Sequence, residues 1–250
     1  MRVKFSFLEN SPHWLKKISR SRALAVPFGI YVNLRVLSEN PKFFGQLSED
    51  EVLQKWLPEG EGSYLDIGAG YPVRGSNTFC FYRRGWRGIA IEPIRTNTFI
   101  FKLFRRGDKV INKLVGRSPG SAYFYHFEPY EYSTTDDEIA SQMKRRMDTR
   151  LISRRKVRQI SIAELELCIS PLQPALLSID AEGADLEILK GIPWDKYCPR
   201  VICVEEWADR IDSSENVTRF LHANAYTLVA NLSPSLIFVA NEYLESLGIE

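Results

Sequence analysis

The feature that most constrains this chain of 250 residues is the run Tyr64-Leu65-Asp66-Ile67-Gly68-Ala69-Gly70. An apolar, β-type stretch ends there in an acid and passes into two glycines one residue apart. Glycine has no Cβ and tolerates positive φ, so such a loop lets its backbone approach a ligand closely. A second apolar run, residues 88–92, follows a helix-like segment and also ends in an acid. Strand, glycine loop, helix, strand and acid in this order predict a nucleotide-type cofactor site.

Two later apolar runs also end in acids, at Asp180 and at the pair Glu205 and Glu206. Strands that alternate with helices predict an α/β fold, a mostly parallel sheet covered by helices on both faces. Ligands bind such sheets beyond the carboxyl ends of the strands, so these acids are expected to meet at one edge. Adjacent strand residues point in opposite directions, so only one of Glu205 and Glu206 is expected to face the site. We prefer Glu206.

The glycine loop departs from a dinucleotide fingerprint. Its third glycine, Gly75, comes two residues late, and Pro72 has no N–H to offer a pyrophosphate. An NAD(P)-dependent oxidoreductase is therefore the weaker alternative, and a P-loop is excluded because no Walker lysine follows. A cofactor without phosphate, such as S-adenosylmethionine, fits better. The glycines would allow backbone approach, the carboxylate of Glu92 would accept both ribose hydroxyls, and Asp66 would lie near the cationic end.

The chain resembles the FkbM-type S-adenosylmethionine-dependent methyltransferases between residue 46 and about residue 240. The most specific match is the segment 177–191, which is similar to the family signature I-D-x-E-G-x-(D/E)-x-x-(V/I)-L-(K)-G. One departure is Gly70, where many relatives carry asparagine. The other matching pieces are Gln46-Leu47-Ser48-Glu49-Asp50, Leu65-Asp66-Ile67-Gly68-Ala69-Gly70, Ser76-Asn77-Thr78, residues 81–88, and Ile91-Glu92-Pro93.

The resemblance implies a Rossmann-like class I methyltransferase fold, with a seven-stranded, mostly parallel sheet and an antiparallel final strand. It also implies methyl transfer to a hydroxyl oxygen, on a sugar or another small-molecule or glycan acceptor. The expected cofactor is S-adenosyl-L-methionine. The residues expected to bind it are Asp66, Gly68, Ala69, Gly70 and Glu92, with Val115 and Gly116 beside the adenine.

Asp180 and Glu182 are the first candidates for catalysis, with Glu206 as a third. A sugar hydroxyl is a poor nucleophile until its proton leaves, so a base is needed, and Asp180 ends the strand expected beside the first. A neighbouring carboxylate raises the pKa of such a base. The alternatives are that the pair holds a divalent metal, or that Glu182 caps the following helix. With four cysteines in no CxxC pair and three histidines, no metal site is predicted.

The predicted organisation is a helical N-terminal extension over residues 1–45 and a methyltransferase domain over 46–250. A helix starting at Ser11-Pro12 is expected to pack on the domain, with a membrane-surface helix as the alternative. A basic insertion is placed at about 128–158, where residues 144–158 carry eight Lys and Arg and one Asp. That stretch is read either as a solvated helix or as a contact for an anionic partner, such as a nucleotide- or lipid-linked sugar or a membrane.

Other features limit the partners and the location. The net charge of +2 and the lack of aromatic residues among the cations of 144–158 argue against nucleic acid. No apolar run reaches about 18 residues, and no signal peptide is recognised, so a cytoplasmic protein without a transmembrane helix is expected. A non-catalytic module that binds a cofactor or an anionic lipid remains a further alternative.

Overall fold

The computed structural model describes residues 24–169, 174–206 and 216–249. These residues form a seven-stranded sheet of β1 (Ser63–Ile67), β2 (Arg87–Ile91), β3 (Lys109–Ile111), β7 (Leu176–Ile179), β8 (Val201–Glu205), β9 (Tyr226–Asn231) and β10 (Ser235–Ala240). The strand order is β3-β2-β1-β7-β8-β10-β9, and β10 runs opposite to the other six strands. This confirms the expected sheet and its antiparallel strand.

Helices cover both faces of this sheet. The central strands are buried along their whole length, as expected of parallel strands with helices on either side. Side chains of α6, α7 and α8 pack with Leu65 and Ile67 on one face, whereas α2, α3 and α9 pack with Tyr64 on the other. The helices are α1 (Ala25–Glu39), α2 (Glu49–Trp56), α3 (Phe79–Arg83), α4 (Arg95–Phe104), α5 (Asp137–Arg145), α6 (Ile162–Ile169), α7 (Asp185–Lys190), α8 (Val217–Ala223) and α9 (Asn241–Ser246).

A second sheet of three strands, in the order β4-β6-β5, lies beside the first. Its strands are β4 (Leu114–Val115), β5 (Gly120–Glu128) and β6 (Arg150–Ile160). The basic stretch 144–158 therefore lies mostly in β6 and only at its start in α5, which differs from the solvated helix considered above. Pairing with β5 explains why this stretch is extended: all nine residues of β5, from Gly120 to Glu128, pair with β6 along nearly the full length of β6.

The extension before residue 46 includes α1, which packs on α4 of the domain. Asn33 of this helix is fully buried, and its Oδ1 accepts hydrogen bonds from the backbone N–H groups of Val73 and Arg74 at 3.0 and 3.1 Å. The helix thus fixes the segment that follows the glycine loop. The predicted helix start at Ser11-Pro12 lies outside the described residues.

A buried ionic network also holds the segment that follows the glycine loop. Arg105 is fully buried, with its Nε 2.7 Å from Asp108 Oδ2 and its Nη1 2.9 Å from Thr78 Oγ1 and 3.2 Å from Ser76 Oγ. Buried charges are tolerated when they are paired and hydrogen-bonded, as this guanidinium is. The chain from Ser76 to Thr78 is therefore held in place by a residue at the end of α4.

In the described part of the chain, no helix combines the length and apolarity needed to cross a bilayer.

Candidate active site

A cavity opens at the carboxyl ends of β1, β2 and β7, where the topology predicts a ligand site. The loops are tied together by their backbones: Gly68 N–H and Ala69 N–H donate to Ile91 O at 2.9 and 3.2 Å, and Asp180 N–H donates to Ile67 O at 3.0 Å. The cavity wall includes seven of the ten predicted site residues: Gly68, Ala69, Gly70, Glu92, Val115, Asp180 and Glu182.

The glycine loop and the Asp180 loop are in direct contact. Gly68 has φ +74°, and a Cβ placed on it would lie 1.9 Å from the backbone oxygen of Asp180. Gly70 also has positive φ, +57°, and a Cβ there would lie 3.1 Å from the hydroxyl oxygen of Tyr130. Gly68 therefore needs glycine both for backbone conformation and for space, whereas Gly70 needs a residue that tolerates the left-handed region, such as glycine or asparagine. The two signature segments of the sequence form one wall of one cavity.

Glu92 is the buried acid of this cavity. Its side chain is 3% exposed; Oε1 accepts from Ile94 N–H at 2.6 Å, and Oε2 accepts from Gly70 N–H at 2.9 Å. Burial raises the pKa of this carboxyl to about 8, against the effect of these two backbone donors, and the charges of Asp66 and Asp180 raise it further. A carboxyl in this position gains much from a ligand that brings hydroxyl donors or a positive charge.

The proton on Glu92 links folding to pH. Because the folded pKa is raised above the ordinary 4.5, the stability that the proton confers is complete below that value and is lost as pH rises through about 8. We expect the free energy of unfolding to fall by about 1–2 kcal/mol between about pH 6.5 and about pH 8. Urea unfolding across this range measures the fall.

The matched variant for this linkage is Glu92→Gln, which cannot titrate. Burial also raises the pKa of Asp50, to about 6, but Asp50 is present in both the wild type and the Glu92→Gln variant. The difference between the two pH profiles therefore isolates Glu92. If the free energies of unfolding of the two proteins changed in parallel with pH, a neutral, buried Glu92 would be contradicted.

Apolar side chains form the wall next to Glu92. Ile94, Leu114 and Phe124 pack together there, and Val115 lines the cavity beside them. Leu114 and Phe124 belong to the second sheet, so that sheet closes the cavity on this side. Gly116 is not part of the lining; its N–H donates to Ile160 O at 3.0 Å within the second sheet. The surface suits a flat apolar ring such as a nucleobase.

Asp66 lies at the end of β1, as predicted, but its carboxylate does not line the cavity. Alternation along the strand directs it to the face of Tyr64, opposite to Leu65 and Ile67. Its Oδ2 accepts a hydrogen bond from Thr78 Oγ1, and burial raises its pKa. In this structure Asp66 joins the glycine loop to the network around Arg105. A contact between Asp66 and a cofactor stays a prediction.

Three carboxylates meet where β7 and β8 end; Asp180 and Glu182 line the cavity, and Glu205 lies beside them without being part of the lining. One oxygen from each of Asp180, Glu182 and Glu205 lies within 4.8 Å of the others. Glu206 is not brought to this group: its Oε1 accepts from Val217 N–H at 2.6 Å, and its Oε2 accepts from Thr218 Oγ1 at 2.9 Å. The preference for Glu206 over Glu205 therefore gains no support, since Glu206 caps the start of α8.

The residue that shapes the Asp180 loop is Asp185, to which the sequence analysis assigned no role. Its Oδ1 and Oδ2 each accept at 3.0 Å, from Ala181 N–H and Gly183 N–H. Glu182 between them has φ +50°, and its carbonyl oxygen accepts from Thr134 Oγ1 at 2.7 Å. The N-cap of α7 is Ala184, so Asp185 does not cap the helix but holds the loop before it, while the Glu182 carboxylate lies in the cluster. The acidic position after E-G-x in the family signature is the sequence signal that could have drawn attention to Asp185.

Carboxylates this close repel one another unless a proton or a cation lies among them. The cluster can therefore take up a proton from a bound alcohol or hold a hard divalent cation through its oxygens. A positively charged ligand group is favoured at the same place. The cluster and Glu92 make this end of the sheet strongly acidic.

Comparison with known proteins identifies a family and two similar solved structures. A family model described as the methyltransferase FkbM domain matches residues 66–228, about two thirds of the chain. Among solved structures, a TehB-like SAM-dependent methyltransferase from Corynebacterium glutamicum is 10% identical and superposes with a TM-score of 0.43 over 88% of this chain and 100% of that chain. A precorrin-6y C5,15-methyltransferase from Geobacter metallireducens is 13% identical, with a TM-score of 0.40 over 78% and 86% of the two chains.

No curated protein sequence matches the chain significantly. The family match includes the glycine loop, Glu92 and the Asp180–Asp185 segment, which are the parts that build the cavity. The chain belongs to the FkbM-domain family of methyltransferases.

Proposed function

We propose that this protein uses S-adenosylmethionine to methylate a hydroxyl oxygen of a sugar or another small-molecule or glycan acceptor. The observation that carries the proposal is the contact between Gly68 and the Asp180 backbone, which brings a nucleotide-type loop and a carboxylate cluster into one cavity. When bound, S-adenosylmethionine supplies a methyl group on a positively charged sulfur, already activated for in-line displacement.

The lining fits this cofactor group by group. Glu92 is placed to accept hydrogen bonds from two vicinal hydroxyls, and these donors favour its ionised form, which makes the arrangement charge-assisted. Ile94, Leu114 and Phe124 offer the apolar surface that an adenine ring needs. Asp180, Glu182 and Glu205 supply the negative charge that favours a sulfonium or ammonium group.

Within this proposal Asp180 accepts the proton of the acceptor hydroxyl as its oxygen becomes methylated. Glu182 and Glu205 increase the affinity of the cluster for that proton by repulsion. Asp185 is a positioning residue, because it holds the backbone on either side of Glu182. Alignment of the acceptor by the cavity walls supplies much of the remaining rate.

The experiment that tests this function follows the methyl group. The protein is incubated with S-adenosylmethionine labelled in its methyl group and with a panel of hydroxylated, carboxylated and amine-bearing compounds, including free and phosphate-linked sugars. The expected product carries label that resists mild alkali, as an ether does. Label released as methanol would indicate a methyl ester, and label on nitrogen would indicate an amine acceptor; either result would contradict methylation of a hydroxyl.

A further inference from the structure

The basic stretch of the sequence forms a surface that the proposed chemistry does not use. Residues 144–158 carry eight Lys and Arg and one Asp in a chain whose net charge is only +2, so the rest of the protein is net negative. Seven of these cations are exposed. Positive charge is therefore concentrated on α5 and β6, next to a domain of the opposite sign.

Strand alternation separates two faces of the second sheet. On the inner face, Phe124 and Val157 pack with Leu114 by the cavity, and Arg155 Nη2 donates to Pro93 O at 3.1 Å. The outer face carries Arg154, Lys156 and Arg158, all exposed. These cations point away from the cavity, so they cannot neutralise a phosphate group bound inside it.

Aromatic and apolar groups accompany the outer cations. Tyr123 pairs with Lys156 across the strands and is 48% exposed, and the guanidinium of Arg154 lies 3.7 Å from the centroid of its ring. Between α5 and β6, Met147 is fully exposed, close in sequence to Lys144 and Arg145. Exposed methionine and tyrosine among cations are typical of surfaces that enter the interface of a lipid bilayer.

We propose that this outer surface, formed by Lys144, Arg145, Met147, Arg154, Lys156 and Arg158 with Tyr123, docks the protein on a bilayer that contains anionic phospholipid. Charge complementarity favours an anionic bilayer as the partner, because several cations at one surface are attracted to an anionic leaflet within a Debye length. A single-stranded nucleic acid fits less well, since Tyr123 is the one exposed aromatic ring on the described outer face and bases need successive stacking partners.

The test is co-sedimentation with vesicles. The wild-type chain is expected to bind vesicles of phosphatidylcholine with about 30% phosphatidylglycerol at about 0.1 M salt, to be released at about 0.5 M salt, and to ignore pure phosphatidylcholine. Equal binding to both vesicle types would overturn the proposal. Binding to single-stranded DNA without binding to anionic vesicles would overturn it as well.

Matched variants locate the surface. Arg145→Gln, Lys156→Gln and Arg158→Gln together are expected to weaken vesicle binding by about tenfold or more. The control carries Lys102→Gln, Arg106→Gln and Lys109→Gln, which remove the same charge from exposed positions around α4 and β3, and should change binding by less than about twofold. Equal losses in the two proteins would overturn the assignment.

A third variant guards against loss of fold. Met147→Ser changes a fully exposed side chain, so it cannot disturb packing, and it is expected to weaken vesicle binding by about threefold with all charges kept. Unchanged binding by this variant would exclude Met147 from the surface. Circular dichroism and retained binding of S-adenosylhomocysteine establish that each variant is folded.

Discussion

Replacing Asp180 by asparagine is expected to reduce the rate of methyl transfer by about 10²-fold to 10⁴-fold, the usual range for loss of a positioned general base. Asparagine keeps the size of the side chain and the backbone bond from Asp180 N–H to Ile67 O, so the loop should stay in place. Affinity for S-adenosylhomocysteine, which lacks the sulfonium charge, is therefore expected to fall much less than the rate. Single-turnover transfer of labelled methyl to an acceptor found in the product screen measures the rate.

The control for this variant is Asp195→Asn, the same change at an exposed position. It should retain full activity. Unchanged transfer by Asp180→Asn would remove Asp180 from catalysis. If wild-type activity were instead lost on chelation and restored by Mg²⁺, the three carboxylates would act as metal ligands and not through a base.

Replacing Gly68 by alanine is expected to lower the free energy of unfolding by about 3 kcal/mol or more and to abolish cofactor binding. Two costs combine: a non-glycine residue at φ +74°, and a Cβ that would lie 1.9 Å from the backbone oxygen of Asp180. Since backbone, and not a flexible side chain, is in the way, the two loops must separate. Urea unfolding and calorimetric titration measure the two effects.

Gly248→Ala separates these costs. Gly248 has φ +72°, and a Cβ there would meet nothing within 4 Å, so only the conformational cost remains. We expect a loss of about 1 kcal/mol for this variant. Equal losses at Gly68 and Gly248 would show that the contact with the Asp180 loop is not tight.

Much of the fold could be predicted because its signals are local. The buried runs of β1, β2, β7 and β8 each end in an acid, and their order along the chain already implied a parallel sheet with its site at one edge. The apolar run 109–115 is not a single strand: Lys109–Ile111 joins the first sheet, and Leu114–Val115 joins the second. That division depends on long-range strand pairing, which a continuous apolar pattern along the sequence does not reveal.

The position of a residue at the cavity could be predicted where the backbone sets it, while the roles of these residues stay predictions. Gly68, Glu92 and Asp180 follow directly from strand ends, and all three line the cavity. Side-chain direction was harder to predict. Asp66 accepts from Thr78 Oγ1, and Glu206 accepts from Val217 N–H and Thr218 Oγ1 at the start of α8, so neither carboxylate lies in the cavity lining. The role of Asp185 depends on a folded loop that the sequence alone does not display.

The central claim is that this cavity binds S-adenosylmethionine through Glu92. Calorimetric titration of the wild-type chain and Glu92→Gln with S-adenosylhomocysteine and with NADH tests it most directly. The account predicts that the wild type binds S-adenosylhomocysteine and not NADH, and that Glu92→Gln binds it about tenfold or more weakly, since one charge-assisted acceptor is lost. Binding of NADH without S-adenosylhomocysteine, or equal affinity of the two proteins for S-adenosylhomocysteine, would contradict it.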